Sequence, residues 1–213
     1  MMKKLTALFA AIAAALSLTA CSNNESGKQY DENSVHDDNT GNTETVKNKS
    51  VTIPIGEENW NVIYSGEWAD GMPNGHGKHY DVRENMIGLF VGEFTNGESS
   101  GYAEAISYYF PQGYSLFIGE NHNGNFNSDY YYEEKGENSS CYKICSGKDV
   151  TSYSVSNGVV KDETNDKTLT GAEADEILAK AKDHFGYSEI YYRLRGELDE
   201  YIKENNLDFG NSD

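Results

Sequence analysis

Positive charge is scarce in this chain. Its 213 residues include 17 lysines and arginines against 35 aspartates and glutamates, so the formal net charge at pH 7 is −18. Such a surface repels the phosphates of nucleic acids and the headgroups of anionic lipids. The deficit argues against nucleic acid as a partner and favours a solvated protein that meets cationic ligands or counter-ions.

Recognisable catalytic motifs are also lacking. The chain has no Gly-x-Ser-x-Gly elbow, no phosphate-binding loop and no histidine-rich metal motif. Serines and histidines occur without a spacing that suggests a catalytic triad. We therefore expect no catalytic residue, no bound metal and no cofactor.

Long apolar runs are missing except near the amino terminus. Residues 5–16 are apolar, rich in alanine and leucine, and preceded by Lys3 and Lys4. The run is shorter than the ~20 residues that span a bilayer. A positive end, a short apolar stretch and a small-residue exit are typical of a secretory signal peptide, which we predict over residues 1–20.

The segment ends in Leu18-Thr19-Ala20-Cys21, which is a branched apolar residue, two small residues and a cysteine. These four residues resemble the bacterial lipobox. The resemblance implies cleavage after Ala20, diacylglyceryl transfer to the Cys21 sulfur and usually acylation, such as palmitoylation, of the new amino terminus. Two or more acyl chains hold a protein to a bilayer stably. The expected location is the extracytoplasmic face of a cell membrane; the alternative is an ordinary signal peptide with a chance cysteine.

Cysteine is rare, and only Cys141 and Cys145 remain once Cys21 is lipidated. Residues four apart on a continuous strand lie ~13 Å from each other, beyond the ~4.4–6.8 Å Cα separation of a disulfide. A disulfide between them requires a turn or bulge, and two buried thiols are the alternative. A metal site made of two cysteines with no nearby histidine is not expected.

Apolar residues are nearly absent from residues 22–50, which are dense in asparagine, aspartate, glutamate, serine and threonine. Such a stretch cannot bury enough apolar surface to offset its ordering entropy. We predict a disordered tether over residues 21–50. As a coil it would hold the folded part on the order of 30 Å from the bilayer.

One unit recurs three times, near residues 64–78, 90–103 and 117–126, with its Gly-Glu pairs 26 and then 27 residues apart. Aromatic residues at its first and fifth positions fall on one face of a strand. The glycine between them lets a neighbouring aromatic lie across that face. An Asp-Gly or Asn-Gly pair then supplies positive φ for a tight reversal. Each unit is therefore predicted to be a β-hairpin that is stable only beside others.

These units resemble the MORN repeat, whose pattern is Tyr-x-Gly-Glu-Trp/Tyr-x-x-Gly followed by Gly-x-Gly. The second copy has Ala103 in place of the last glycine, and the third has Asn121 in place of the second aromatic. The first copy matches at Tyr64, Gly66, Glu67, Trp68, Gly71, Gly75 and Gly77. The resemblance implies an antiparallel meander that serves as a structural or partner-binding platform and carries no catalytic residues of its own.

Strand signals continue after the repeats, at residues 130–132 and 142–144 and in a hairpin around Asn157-Gly158. Two helical patterns follow. Residues 170–173 match a capping box for the first helix, which we expect to end at Gly186. Ser188 is expected to cap the second.

The predicted fold is therefore mainly β (α+β). An antiparallel meander of MORN-like hairpins and one further hairpin occupies residues 51–168. A pair of helices over residues 169–208 is expected to cover one face or end of the sheet. Residues 209–213 are predicted to be a disordered tail.

Repeated acids and histidines are the remaining candidates for chemistry. Glu67, Glu93 and Glu120 share one repeat position and are predicted to form a row ~9–10 Å apart, close to the carboxylate separation of an inverting glycosidase. Because MORN units carry this glutamate whether or not they catalyse, a structural role is favoured. His76 and His79 should point to opposite faces of a strand and share no metal. All five histidines are expected to face solvent.

Residues 121–129 superficially suggest a calcium loop. They lack the acidic first ligand and the closing glutamate that set calcium affinity. A polar hairpin turn is the favoured interpretation.

Tyrosine is abundant, with 16 residues, several of them adjacent. Adjacent strand residues face opposite ways, so some are expected to be exposed and to bind a protein or a glycan. The alternative is that the C-terminal helices cover them. The predicted partner-binding residues are Tyr108, Tyr109, Tyr130, Tyr131 and Tyr132.

These observations favour a non-catalytic, lipid-anchored docking or scaffold protein of the bacterial cell envelope with a protein partner. The alternative is a lipoprotein that binds carbohydrate or cell wall through its tyrosines. An envelope hydrolase is the least favoured class.

Overall fold

A computed structural model describes residues 43–209 except 112, 137 and 147–148. It contains one sheet of eleven strands, each antiparallel to its neighbour and placed in sequence order. Two helices follow, separated by a short 3-10 segment at His184–Gly186. The strands are β1 (Glu44–Ile55), β2 (Glu58–Ala69), β3 (Met72–Arg83), β4 (Met86–Thr95), β5 (Glu98–Tyr109), β6 (Gly113–His122), β7 (Asn125–Glu134), β8 (Ser139–Ser146), β9 (Asp149–Ser156), β10 (Val159–Asp162) and β11 (Lys167–Leu169); the helices are α1 (Ala172–Lys182) and α2 (Ser188–Glu204).

The predicted fold class is confirmed, and so are its tight turns. Asp70, Asn96 and Asn157 have φ of 51°, 53° and 50°, and the glycine after each also has positive φ. Asn123 (φ 48°) and Gly124 form the same kind of reversal between β6 and β7, as the hairpin-turn interpretation of residues 121–129 requires. Aspartate and asparagine tolerate this region because their short side chains bond locally.

The amino-terminal boundary of the sheet was predicted too late. Residues 44–50, assigned to the tether, belong to β1, which pairs with β2 from Glu44 to Ile55 with one bulge between Val46 and Lys49. Lys49 places its Nζ 4.0 Å from the centre of the Trp68 ring. Main-chain pairing with β2 and this cation–π contact stabilise residues 44–50 as a strand, although their composition alone predicts a coil. The predicted signal peptide, Cys21 and residues 22–42 lie outside the described residues.

The helix ends also differ from the predictions. Gly171, with φ of 56°, precedes α1, and no side chain caps that helix. Glu173 pairs instead with Lys167, so the predicted capping box is absent. Tyr187, and not Ser188, precedes α2, again without a side-chain cap. The α1 helix ends at Lys182, before the predicted stop at Gly186.

The predicted tail begins one residue too early. The Phe209 ring stacks on Phe110, with 4.5 Å between ring centres and 4° between planes. The remaining tail residues, 210–213, lie outside the described part of the chain.

Alternation along the strands gives the sheet two different apolar faces. On the helix-covered face, α2 buries Leu194 and Leu198 completely against aliphatic and tyrosine side chains of β3–β8. The opposite face carries the repeat aromatics. Its buried apolar residues are Ile53, Val62, Tyr64, Trp68, Phe90, Phe94, Ala103 and Phe117.

The aromatic face is roofed by the first hairpin. The turn between β1 and β2 meets the turn between β6 and β7, where the Gly56 N–H donates to the Asn123 carbonyl at 3.0 Å. The Asn123 N–H in turn donates to the Ser99 carbonyl at 2.8 Å. Because the sheet curls back on itself in this way, a cavity lies between the first hairpin and the aromatic face.

Candidate functional site

The floor of this cavity is made of small residues brought side by side by strand register. Gly88 of β4 lies opposite Ser107 of β5, and Ser107 lies opposite Ser115 of β6. One row further along, Ala105 separates Phe90 from Phe117. Small side chains in the middle of the face leave a volume of about 410 Å³, within the ~300–1,000 Å³ typical of small-molecule sites. We call this space the cavity.

The walls of the cavity are mostly aromatic. His79 of β3 stacks on Phe90, with ring centres 5.1 Å apart and 12° between planes. Phe117 and Phe126 meet edge to face at 4.7 Å. Trp60, Tyr109 and Tyr131 complete the aromatic lining.

His79 is the unusual polar group of the lining. Its side chain is 5 % exposed, and its Nδ1 is buried without a hydrogen-bond partner. Burial lowers the pKa of the imidazole from 6.5 to about 3, because the charged form loses its hydration. His79 is therefore neutral at physiological pH, with one ring nitrogen as donor and the other as acceptor.

A chain of polar contacts joins the floor strands to the roof at one edge of the cavity. Asp81 accepts a hydrogen bond from Arg83 Nε at 2.8 Å, and the Arg83 guanidinium lies 4.0 Å from the centre of the Trp60 ring. Trp60 Nε1 donates to Glu58 at 3.2 Å. Burial raises the pKa of the Asp81 carboxyl, and the nearby Arg83 opposes that rise. These contacts hold the first hairpin over the cavity.

The opposite edge is shaped by a departure from the repeat pattern. Asn121 occupies the repeat position at which the first two copies have Trp68 and Phe94. It is 2 % exposed, and its Oδ1 accepts from the Gly124 N–H at 2.9 Å and from Ser99 Oγ at 3.3 Å. A polar residue smaller than an aromatic ring thus fixes the turn that meets the roof.

The predicted row of glutamates lies on the other side of the sheet. Glu67, Glu93 and Glu120 each precede a residue on the aromatic face, namely Trp68, Phe94 and Asn121, so they point to the opposite face. All three are exposed. His76 connects two of them: its main-chain N–H donates to Glu67 Oε2 at 3.0 Å, and its ring Nδ1 lies 3.1 Å from Glu93 Oε1. His122 lies 3.9 Å from Glu120. We call Glu67, Glu93 and Glu120 the acidic row.

The exposure predicted for the tyrosine runs is wrong. Tyr130 is fully buried and Tyr132 is 8 % exposed, both beneath the C-terminal helices. Tyr108 packs on the same side and donates to Asp199 of α2 at 3.2 Å. Tyr109 and Tyr131 face the cavity under the roof. Adjacent tyrosines do face opposite ways, but both faces are covered, so these five residues form no open docking surface.

The predictions for histidine and cysteine are corrected in part. His79 and His184 are buried, whereas His76 and His122 are exposed as expected. His184 lies among tyrosines, with Nδ1 3.1 Å from Tyr130 Oη. Cys141 and Cys145 are half-buried and lie on the single strand β8, where extended geometry keeps them too far apart for the disulfide.

Sequence reasoning missed the cavity, although one signal pointed to His79. In β3 it has the same parity as Gly77, over which the Tyr64 ring lies. That parity places His79 on the aromatic face. Because most histidines are exposed to solvent, His79 was predicted to be exposed in spite of its position on the strand. In the parts of the chain that the structure describes, no three His, Cys, Asp or Glu side chains come together in a way that would hold a metal ion.

Comparison with protein families identifies a MORN repeat at residues 64–82, which correspond to most of the β2–β3 hairpin. The chain therefore contains a MORN repeat within a meander of similar hairpins. Such a repeat suggests a module that binds protein or membrane. Neither curated proteins nor solved structures give a match.

Proposed function

We propose that the protein is a lipid-anchored, non-catalytic module that docks a basic protein partner at the extracytoplasmic side of the cell envelope. The anchor rests on the lipobox at residues 18–21. Within the described parts of residues 43–209, no helix has the length and apolar character of a membrane span. The single observation that supports docking is the acidic row, which the repeat register aligns on the helix-covered side of the sheet, where all three side chains stay exposed.

Charge decides the kind of partner. The acidic row is exposed and lies in a chain with twice as many acids as bases. Its nearest imidazoles, on His76 and His122, contact the carboxylates but leave them exposed. A basic surface is the complementary partner, and charge complementarity raises association rates and specificity. An anionic bilayer or a polyanionic cell-wall polymer would be repelled.

Neutralising the acidic row tests the docking face. Full-length protein carrying Glu67→Gln, Glu93→Gln and Glu120→Gln should capture at least tenfold less partner from detergent-solubilised envelope, because three charges are lost while the side-chain shape is kept. The matched control is Glu189→Gln, Glu200→Gln and Glu204→Gln, exposed acids of α2 whose loss changes the net charge equally. Capture by the control should stay within twofold of that by the unchanged protein.

The readout is mass spectrometry of the captured protein at two salt concentrations, with circular dichroism to show that each variant is folded. Equal loss in the control would reduce the effect to net charge. Retention of the partner by the row variant would refute docking through this face.

The lipid anchor has its own test. Cells expressing the full chain and fed an alkyne-labelled fatty acid should yield a labelled protein that sediments with membranes. Cys21→Ala should remove both the label and the sedimentation, because the thioether sulfur is lost, whereas Cys145→Ala should change neither. A membrane-bound, unlabelled Cys21→Ala protein would disprove lipid attachment at this residue.

A further inference from the structure

We propose that the cavity binds a neutral, ring-containing small molecule with a hydroxyl group, the rings held between the aromatic walls and the hydroxyl bonded to His79. The cavity and the acidic row lie on opposite sides of the sheet, so ligand binding in the cavity does not depend on the docking face.

The shape of the cavity favours flat rings. Its floor is kept low by Gly88 and Ala105, while Phe90 and Phe117 rise on either side of Ala105. A second wall is supplied by Trp60 in the roof. Aromatic pairs in offset or edge-to-face arrangements are stabilised beyond the effect of the apolar area that they bury. A ligand ring between these walls is stabilised both by aromatic contacts and by the burial of apolar area.

His79 supplies the selective contact. Its side chain lines the cavity, and its Nδ1 is shielded and has no hydrogen-bond partner, so a small shift of the ring is needed for a ligand to reach this nitrogen. A buried polar group without a partner is unfavourable, and a ligand that bonds to it is therefore preferred. A ligand hydroxyl both donates and accepts, so it satisfies Nδ1 in either tautomer of the neutral ring. An unsubstituted acyl chain would leave this nitrogen, and the Ser107 and Ser115 hydroxyls of the floor, without a new partner.

Charge excludes an ionised ligand. The roof turn carries the exposed acids Glu57 and Glu58, and Asp81 lines the same edge. Anions would be repelled by these groups and by the overall charge of −18. A cation would find the buried Asp81 already bonded to Arg83 at 2.8 Å, and Glu57 and Glu58 exposed to solvent, where water screens their attraction. An uncharged ligand therefore fits best.

Three naphthalene probes of similar size separate these requirements. In isothermal titration calorimetry with the full-length protein, 2-naphthol should bind at least tenfold more tightly than 2-methoxynaphthalene, which accepts but cannot donate. The anion 2-naphthoate should bind most weakly. The variant His79→Phe keeps the stacked ring and removes the nitrogen, so the preference for 2-naphthol should fall below threefold.

Filling the cavity provides the second arm. Ala105→Leu places a larger side chain on the floor and should abolish binding of all three probes. Ala179→Leu, at an exposed position of α1, is the matched control and should bind as the unchanged protein does. Thermal unfolding and methyl NMR spectra establish that each variant is folded.

Several results would overturn the proposal. If 2-naphthol gives no heat of binding, the cavity holds only water and does not bind the proposed ligand. Undiminished binding by a folded Ala105→Leu would place the probe elsewhere, and a preference for the hydroxyl retained in His79→Phe would remove the role of His79.

Discussion

Lowering the pH from 7 to 4 should reduce the free energy of unfolding by about 3 kcal/mol through His79 alone, at ~1.36 kcal/mol per pKa unit. The imidazole has a pKa of about 3 when it is buried in the native cavity and its ordinary value of 6.5 in the unfolded chain. Below pH 6.5 the His79 imidazole binds a proton in the unfolded state but stays neutral in the native state. Stability is therefore full above pH 6.5, falls with pH below it, and levels off near pH 3.

Comparison with His79→Phe isolates this effect. Phenylalanine keeps a ring against Phe90 and cannot be protonated. Other groups also shift in the native state: burial lowers the pKa of His184, which acts in the same direction, and raises the pKa of Asp81, which acts in the opposite one. They are present in both proteins, so the difference between the two unfolding free energies follows His79.

Urea unfolding at pH 7, 5.5 and 4 gives that difference. The variant should gain about 3 kcal/mol on the unchanged protein between the two extremes, from the same pKa difference. A difference that does not move with pH would show that His79 is solvated in the native state. The cavity would then lack the desolvated nitrogen on which the ligand proposal depends.

Replacing Gly77 by alanine should destabilise the fold by about 1–3 kcal/mol, the usual effect of overpacking a core. A Cβ at this position would lie 2.6 Å from Tyr64 Cε2 and Cζ. Gly77 has no positive φ, so the expected loss is steric and not conformational. The contact is the one that the repeat pattern requires, with an aromatic ring lying over a glycine of the next strand.

The Tyr64 ring cannot easily move aside. It is fully buried, packs edge to face on Phe94 with 5.2 Å between ring centres, and donates its hydroxyl to the Glu67 carbonyl at 2.7 Å. Burial, with a smaller contribution from Glu67, raises the pKa of that hydroxyl to about 12. It therefore stays protonated and keeps donating across the physiological range.

Gly196→Ala is the matched control. Gly196 lies within α2, and a Cβ there would meet nothing within 4 Å. Alanine is favoured over glycine inside a helix by ~1 kcal/mol, so this variant should be more stable. Denaturant unfolding of both variants measures the contrast, and a Gly77→Ala protein as stable as Gly196→Ala would show that the tyrosine does not pack on this glycine.

Local patterns were sufficient for the repeat strands. The two-residue alternation placed Tyr64, Phe90 and Phe117 on one face, and Asp-Gly and Asn-Gly pairs marked their reversals, because strand pleat and positive φ are properties of a few neighbouring residues. The same rule put the acidic row on the opposite face. The lipobox at residues 18–21 is likewise a local pattern, and the anchor it predicts awaits the labelling experiment.

Tertiary contacts decided which surfaces are open. Tyr130 and Tyr132 are buried because α2 and the 3-10 segment, more than 50 residues later in the sequence, pack over them. Residues 44–50 are ordered because β2 offers a strand edge to composition that is otherwise that of a coil. Neither the burial of these tyrosines nor the pairing of residues 44–50 can be predicted from the residues next to them in the sequence.

The sequence by itself determined the MORN-like hairpins, their order and the faces on which their side chains lie, since these follow from periodicity and turn chemistry. Only the tertiary structure decided that the first hairpin folds back to join Gly56 to Asn123 and that His79 becomes a buried, unpartnered base in a cavity of about 410 Å³. The physical reason is that curvature of the sheet accumulates over many strands. Its closure depends on contacts between residues far apart in the chain, which no local pattern records.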